Sequence, residues 1–288
     1  MRELQLSKCP LRVFTSASGK GGTGKSTLVL HIGYYLAKVL GLRVLLVDLD
    51  PQGNLSLALG VRVEEERSIA AVLKGQTSLS EAIVTSSESG VCLVPSHPSL
   101  DGIERTRELA NDLYGHERLR NALKKVEHEF DFCFIDPPPG GGWLPQTALY
   151  ASHHMLLSII PEAFSVLALA GLKEFQERIN LHHGITIFGA IFSCWDERGA
   201  MNATFIEEVE GVFGSEALFK ARVRRDVGVN RAVLEGKTIF EVDPKSRAAQ
   251  DYKAVAEEFC QRIQEQTKAL DQPRQGERNN PVVSSADV

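Results

Sequence analysis

The chain has 288 residues, of which 43% are hydrophobic and 24% charged, and its formal charge is −5. That size and composition suit a large buried core, and the acidic balance excludes a surface coated in positive charge for nucleic acid, so any DNA contact must come from a local patch. Apolar runs such as Met155 to Ile160 fall far short of a bilayer span and the first residues lack a signal-peptide core, which predicts a cytoplasmic protein.

In chain order, the first apolar run, 11–17, reads as a strand and is followed by Gly19-Lys20-Gly21-Gly22-Thr23-Gly24-Lys25-Ser26. This fills every position of the phosphate-loop spacing G-x-x-x-x-G-K-[ST], with one extra cation, Lys20, inside the loop. Gly21 to Gly24 would turn backbone N–H groups toward phosphate oxygens, Lys25 would neutralise them, and the Ser26 hydroxyl would ligate Mg²⁺. Leu28, Ile32, Tyr35, Leu36 and Val39 then recur at helical spacing, predicting a helix over 26–40 whose N-terminus faces the phosphates.

Further strands are expected at 43–47, 91–94, 132–135, 154–160 and 187–193. Helices are expected near 68–84, 100–110, 116–128, 164–180, 200–213, 227–235 and 246–267. Alternating β and α, with strands lacking polar alternation, predicts an α/β fold: a doubly wound, mostly parallel sheet with helices on both faces. Residues 1–270 read as a single domain, and 271–288, polar and without apolar periodicity, as a disordered tail. The scattered cysteines Cys9, Cys92, Cys133, Cys194 and Cys260 offer neither a disulfide framework nor a metal motif and read as buried small hydrophobes. The pairs His153-His154 and His182-His183 lack acidic ligands at metal spacing and read as surface or sheet-edge residues. Trp195 reads as a half-buried packing residue.

Two strand candidates end in carboxylates: Val47-Asp48-Leu49-Asp50-Pro51-Gln52-Gly53-Asn54 and Phe134-Ile135-Asp136-Pro137-Pro138-Pro139-Gly140. Ligands of open α/β sheets bind at the carboxyl ends of strands, where such groups support Mg²⁺ or orient an attacking water. Asp-Pro and Gly-Asn also favour turns, so each element alone has a structural reading.

Together, Lys20 to Thr27, Val47 to Asn54 and Asp131 to Pro138 resemble the deviant Walker A, Walker A′ and Walker B motifs of the ParA/MinD ATPases, most closely the ParA partition branch. The resemblance continues through Val223-Arg224-Arg225-Asp226, Gly236-Lys237-Thr238-Ile239-Phe240 and Asp243-Pro244-Lys245-Ser246-Arg247-Ala248-Ala249, covering roughly residues 11 to 265. It implies ATP and Mg²⁺ as cofactors and a homodimer formed on ATP, in which Lys20 reaches the partner's nucleotide. It also implies Lys25 on the phosphates of its own subunit, Thr27 on the α-phosphate, Asp50 positioning water, and Ser26, Asp48 and Asp136 around Mg²⁺. Arg224 and Asp226 are implied near the base.

Residues 220–253 carry nine Lys or Arg against five Asp or Glu, a net +4 within an acidic chain. Arg222, Arg225, Arg231, Lys245 and Arg247 are the candidate contacts to nonspecific DNA, and the resemblance singles out Arg225. A solvated, partly paired helix face is the alternative reading of that cluster. The expected role is a partition ATPase stimulated by a ParB-like protein and associated with the nucleoid. A membrane-associated MinD-type role is disfavoured, because 271–288 has neither a basic nor an apolar helical face. A cluster-carrying metabolic relative would need paired cysteines. A protein cargo in place of DNA stays open.

Overall fold

The computed structural model describes residues 11–106, 109, 111–112, 114–181 and 183–271. Cys9, His182 and all but the first residue of the expected tail lie outside them.

Seven strands, β1 (Arg12–Ala17), β2 (Val44–Asp48), β3 (Val84–Thr85), β4 (Cys92–Val94), β5 (Phe132–Asp136), β6 (His154–Ile159) and β7 (Thr186–Phe192), form one sheet in the order β3-β4-β2-β5-β1-β6-β7. Every pairing is parallel except β3 with β4. The predicted doubly wound sheet is therefore observed, with a short antiparallel edge that the sequence reading did not include.

Side-chain alternation along each strand divides the core between the two faces. Phe14, Leu46, Phe132 and Phe134 pack with the phosphate-loop helix (Leu28, Ile32), the π-helical turn Tyr35–Val39 that continues it (Leu36) and the C-terminal helix Arg247–Asp271. In that last helix Tyr252, Val255, Phe259 and Ile263 are all buried, as their spacing predicts. On the opposite face Val13, Leu45, Val47, Cys133 and Ile135 pack against Leu73, Leu119, Leu123 and Trp143. Met155, Leu157 and Ile159 extend this side toward β7 with Leu169 and Ile179.

The helix expected over 68–84 is two, Ile69–Lys74 and Leu79–Ala82. Gly75 ends the first in the left-handed region, and Ser78 opens the second by exchanging capping hydrogen bonds with Glu81. Helices Asn54–Ala58, Trp143–Ala151 and Ile239–Val242 were not expected. Among the described cysteines Cys133 alone is fully buried; Cys92 and Cys260 are half-buried and Cys194 is exposed, a correction to the uniform burial expected of them. Trp195 is more deeply packed than expected, beside Phe192 and beneath the Arg222 guanidinium 4.2 Å from its ring.

Candidate functional site

β1 runs inside the sheet between β5 and β6, and the chain leaves its carboxyl end into the glycine-rich loop. Gly22 (φ 73°) and Gly24 (φ 84°) adopt left-handed backbone that a side chain would oppose. The loop then enters the helix Lys25–Tyr34 with Gly24 at the N-cap and no side-chain cap, leaving its first amides free of intrahelical partners. Such an end attracts anions through its N–H groups and dipole. Behind the loop, the Ser158 hydroxyl donates to the Thr23 carbonyl at 2.6 Å and lies 3.1 Å from Ser193 Oγ, fixing the loop against β6 and β7.

Lys25 is 8% exposed. Burial lowers its pKa, while the Asp136 and Asp50 carboxylates act in the opposite direction and keep a cation favourable. Asp48 and Asp136 end adjacent strands as direct register partners, and both are fully buried. Asp48 accepts from Ser56 N–H and Ser56 Oγ, each at 2.7 Å, and from Asp50 N–H at 3.3 Å. Asp136 Oδ1 accepts from Ser16 Oγ at 3.0 Å. Asp136 Oδ2 is buried with no hydrogen-bond partner among the described residues, and so is Thr23 Oγ1. A buried carboxylate oxygen beside an uncapped helix N-terminus fits a bound cation with a polyanion, which is how the residues present suit Mg²⁺ and a nucleotide phosphate chain.

Burial, then the neighbouring Asp136 carboxylate, pushes Asp48 up to about 8. Burial pushes Asp136 up to about 6, with Ser26, Lys25 and Ser16 pulling it down and Asp50 raising it. With pKa values raised on folding, the native state binds protons that the unfolded chain releases. The resulting stability is complete below the ordinary carboxylate range and is lost as pH rises through about 6 and about 8. The nucleotide-free protein should therefore melt several degrees lower at pH 8.5 than at pH 6, and Asp48→Asn should remove most of that difference. An unchanged pH dependence in calorimetry of the variant would refute this assignment.

The loop, Asp50, Gln52 and Asn54 after β2, and Pro138 and Pro139 after β5 line one cleft of about 850 Å³. Val223 to Asp226, Val229, Asn230, Val233 and Tyr252 also line it, so that Val223, Val229, Val233 and Tyr252 supply apolar surface beside charged and polar groups. Gly21 through Thr27 and Asp50 thus share one cleft, with Asp48 and Asp136 buried at the adjacent strand ends. Sequence reasoning missed Asp101 and Glu104, which reach the cleft from the distant helix Leu100–Thr106, and Tyr252. It also missed His31, fully buried and pushed down to about 4 by burial. Its Nδ1–H donates to the Thr27 carbonyl at 2.7 Å and its Nε2 accepts from Ile239 N–H at 3.1 Å, tying the phosphate-loop helix to the start of the helix Ile239–Val242.

Other predicted residues are placed differently. Lys20 is half-exposed, pairs with the Glu162 carboxylate and does not line this cleft. The Arg224 guanidinium is turned to Asp251 at 2.6 Å and 2.9 Å and to Glu197 at 3.3 Å, so its charge is compensated away from a base. Asp226 caps the helix Val227–Leu234 by accepting from Gly228 N–H at 2.8 Å. Arg222 stacks on Trp195 in a separate cleft with Lys220. Arg225, Lys245 and Arg247 are exposed and make no ion pair among the described residues, whereas Arg231 pairs with Glu235 at 3.3 Å. Of the five candidate DNA contacts, Arg222 and Arg231 are thus engaged by neighbouring side chains, and Arg225, Lys245 and Arg247 are exposed. No cluster of three His, Cys, Asp or Glu able to hold a metal occurs among the described residues.

A model of the AAA domain matches residues 11–185. A ParA family protein of Chlamydia muridarum is 39% identical over 242 residues, covering 84% of this chain and 94% of its own. This chain belongs to the ParA family. The chromosome partitioning protein ParA of Caulobacter vibrioides is 32% identical over 262 residues, covering 89% of this chain and 97% of its own. Among solved structures, the septum site-determining protein MinD of Pyrococcus horikoshii, complexed with Mg-ADP, superimposes with a TM-score of 0.71 at 26% identity, covering 86% of this chain and 95% of that one. The ParA/MinD fold and its phosphate-loop NTPase membership are thus common to this chain and these relatives. No described helix is long and apolar enough to cross a membrane.

Proposed function

We propose that this chain is a magnesium-dependent ATPase that binds a second copy of itself when loaded with ATP and, as that dimer, holds DNA without regard to sequence. In this reading hydrolysis is slow until a ParB-like partner stimulates it, and the cycle moves a plasmid or chromosome in the cytoplasm, on the nucleoid. The observation that carries the proposal is the pairing of an uncapped helix N-terminus and the buried Lys25 with Asp136, whose Oδ2 is buried and unpartnered.

Within the site each residue has a physical task. The loop amides and Lys25 bind the phosphate chain, and the apolar surface of Val223, Val229 and Tyr252 receives the base. Asp50, 8% exposed and fixed by accepting from Gln52 N–H at 2.9 Å, orients the attacking water. Ser26, Asp48 and Asp136 would hold Mg²⁺, directly or through water, and the ion would supply charge neutralisation at the phosphate oxygens. Lys20 is the one loop cation directed away from its own cleft, which supports a role on a partner's nucleotide; to act there it must exchange Glu162 for phosphate.

Exposed Arg225, Lys245 and Arg247 support DNA contact through phosphates, and dimerisation doubles their number. Retention of random-sequence duplex in a gel shift should appear with ATP, be absent with ADP or no nucleotide, and fall steeply with salt. Arg225→Ala should reduce the slope of log affinity against log salt by about 1 per chain. Equal retention without nucleotide would defeat the coupling, and salt-independent retention would defeat phosphate contact.

A further inference from the structure

We propose that Glu104 is a positioning residue for turnover: it latches the far end of the loop that begins at Asp136 and thereby fixes the phosphate-side wall of the cleft. The loop runs through Pro137, Pro138 and Pro139 and then Gly140 to Gly142, before the helix Trp143–Ala151. That helix has no side-chain cap of its own, because Gly142 stands at its N-cap. Glu104 supplies the cap from 39 residues away, Oε1 accepting from Trp143 N–H at 2.9 Å and Oε2 from Leu144 N–H at 2.8 Å. Both carboxylate oxygens are thus used on adjacent amides at the positive end of a helix, a charge-assisted and bidentate arrangement.

The contact is close enough to dictate sequence. A Cβ built on Gly142 would lie 1.6 Å from Glu104 Oε1, so glycine is required while the carboxylate is in place. Glu104 also lines the nucleotide cleft together with Asp101, Pro138, Pro139 and Leu144. Pro139 stands over the phosphate loop, its Cγ 3.7 Å from where a Cβ on Gly21 would be. One end of the loop is therefore anchored by β5 through Asp136 and the other by Glu104. Prolines stiffen its first half, while Gly140, at φ 102°, and its glycine neighbours leave the second half dependent on the latch. Loss of the latch releases the wall without removing any group assigned to bind phosphate.

The inference rests on the proposed ATPase activity only for its kinetic part. In Glu104→Gln one of the two acceptor oxygens becomes an NH2 that cannot accept and the charge is lost, so the paired arrangement is broken, and the expected result is a tenfold or greater rise in hydrogen exchange at the Trp143 and Leu144 amides, with β5 amides unchanged. Turnover should fall about tenfold with KM for ATP within twofold, since misplacement rather than lost binding is responsible. Gly142→Ala approaches the same contact from the other side and should reproduce both effects. In a Glu104→Ala background, where the clash is gone, adding Gly142→Ala should cost little more, so the two changes are strongly non-additive. Additive effects, or Trp143 and Leu144 amides that exchange at the wild-type rate in Glu104→Gln, would overturn the latch. A wild-type chain that hydrolyses no ATP yet shows the exchange result would instead count against the proposed function alone.

Discussion

Lys25→Ala should lose at least about 100-fold in ATP affinity, which at 1.4 kcal/mol per tenfold is about 2.8 kcal/mol. The size follows from the surroundings of the ammonium group. Lys25 is nearly buried at the first position of the phosphate-loop helix, and the buried Asp136 and Asp50 carboxylates stabilise its charge. Truncation removes the cation and leaves those carboxylates to repel the incoming phosphates, so the loss exceeds that of one exposed charge. Isothermal titration or a fluorescent nucleotide analogue measures it directly. Affinity within threefold of wild type would show that the cleft does not bind phosphate in the way assigned here.

Asp50→Ala should do the opposite to the two steps: ATP binding stays within a few-fold of wild type while turnover falls by about 100-fold or more. The backbone around Asp50 is independently fixed. Its N–H donates to Asp48 Oδ1 at 3.3 Å, its carbonyl accepts from Ser96 Oγ, and Gly53 N–H closes the following turn onto the same carbonyl at 2.9 Å. Only the bond from Gln52 N–H to the Asp50 side chain is lost, so the element keeps its shape. Single-turnover kinetics separates binding from chemistry, and hydrolysis at the normal rate would remove Asp50 from the reaction. The same comparison in Asp50→Asn keeps the acceptor for Gln52 and isolates the charge.

The phosphate loop, the strand-end carboxylates and most strands were legible because their signals are local. An apolar run, a glycine spacing and an Asp at a strand end are each read within eight residues. What escaped reading depends on contacts between distant segments. The helix Trp143–Ala151 was obscured by Gly140 to Gly142 and by Pro145, yet proline at the third helical position removes an N–H that lacks an intrahelical partner in any case. Glu104 and Trp143 meet only because the sheet brings their helices together, so nothing in the local sequence pairs them. Arg224 matched a motif position, but its charge is engaged by Asp251, which lies 27 residues further along the chain. Arg222 sits in a basic segment, but its guanidinium packs over the Trp195 ring, whereas Lys245 and Arg247 are exposed. Charge counting along a sequence assigns an excess to a segment, and only packing decides which of those charges share a surface.

Light scattering on a sizing column, with Mg²⁺ and a non-hydrolysable ATP analogue, tests the central claim most directly. The wild-type chain should elute at twice the monomer mass with analogue and at the monomer mass with ADP, while Lys20→Ala binds the analogue and stays monomeric. A wild-type chain that is saturated with analogue yet monomeric, or a Lys20→Ala dimer of undiminished stability, would contradict the proposal that each subunit's Lys20 acts on its neighbour's nucleotide.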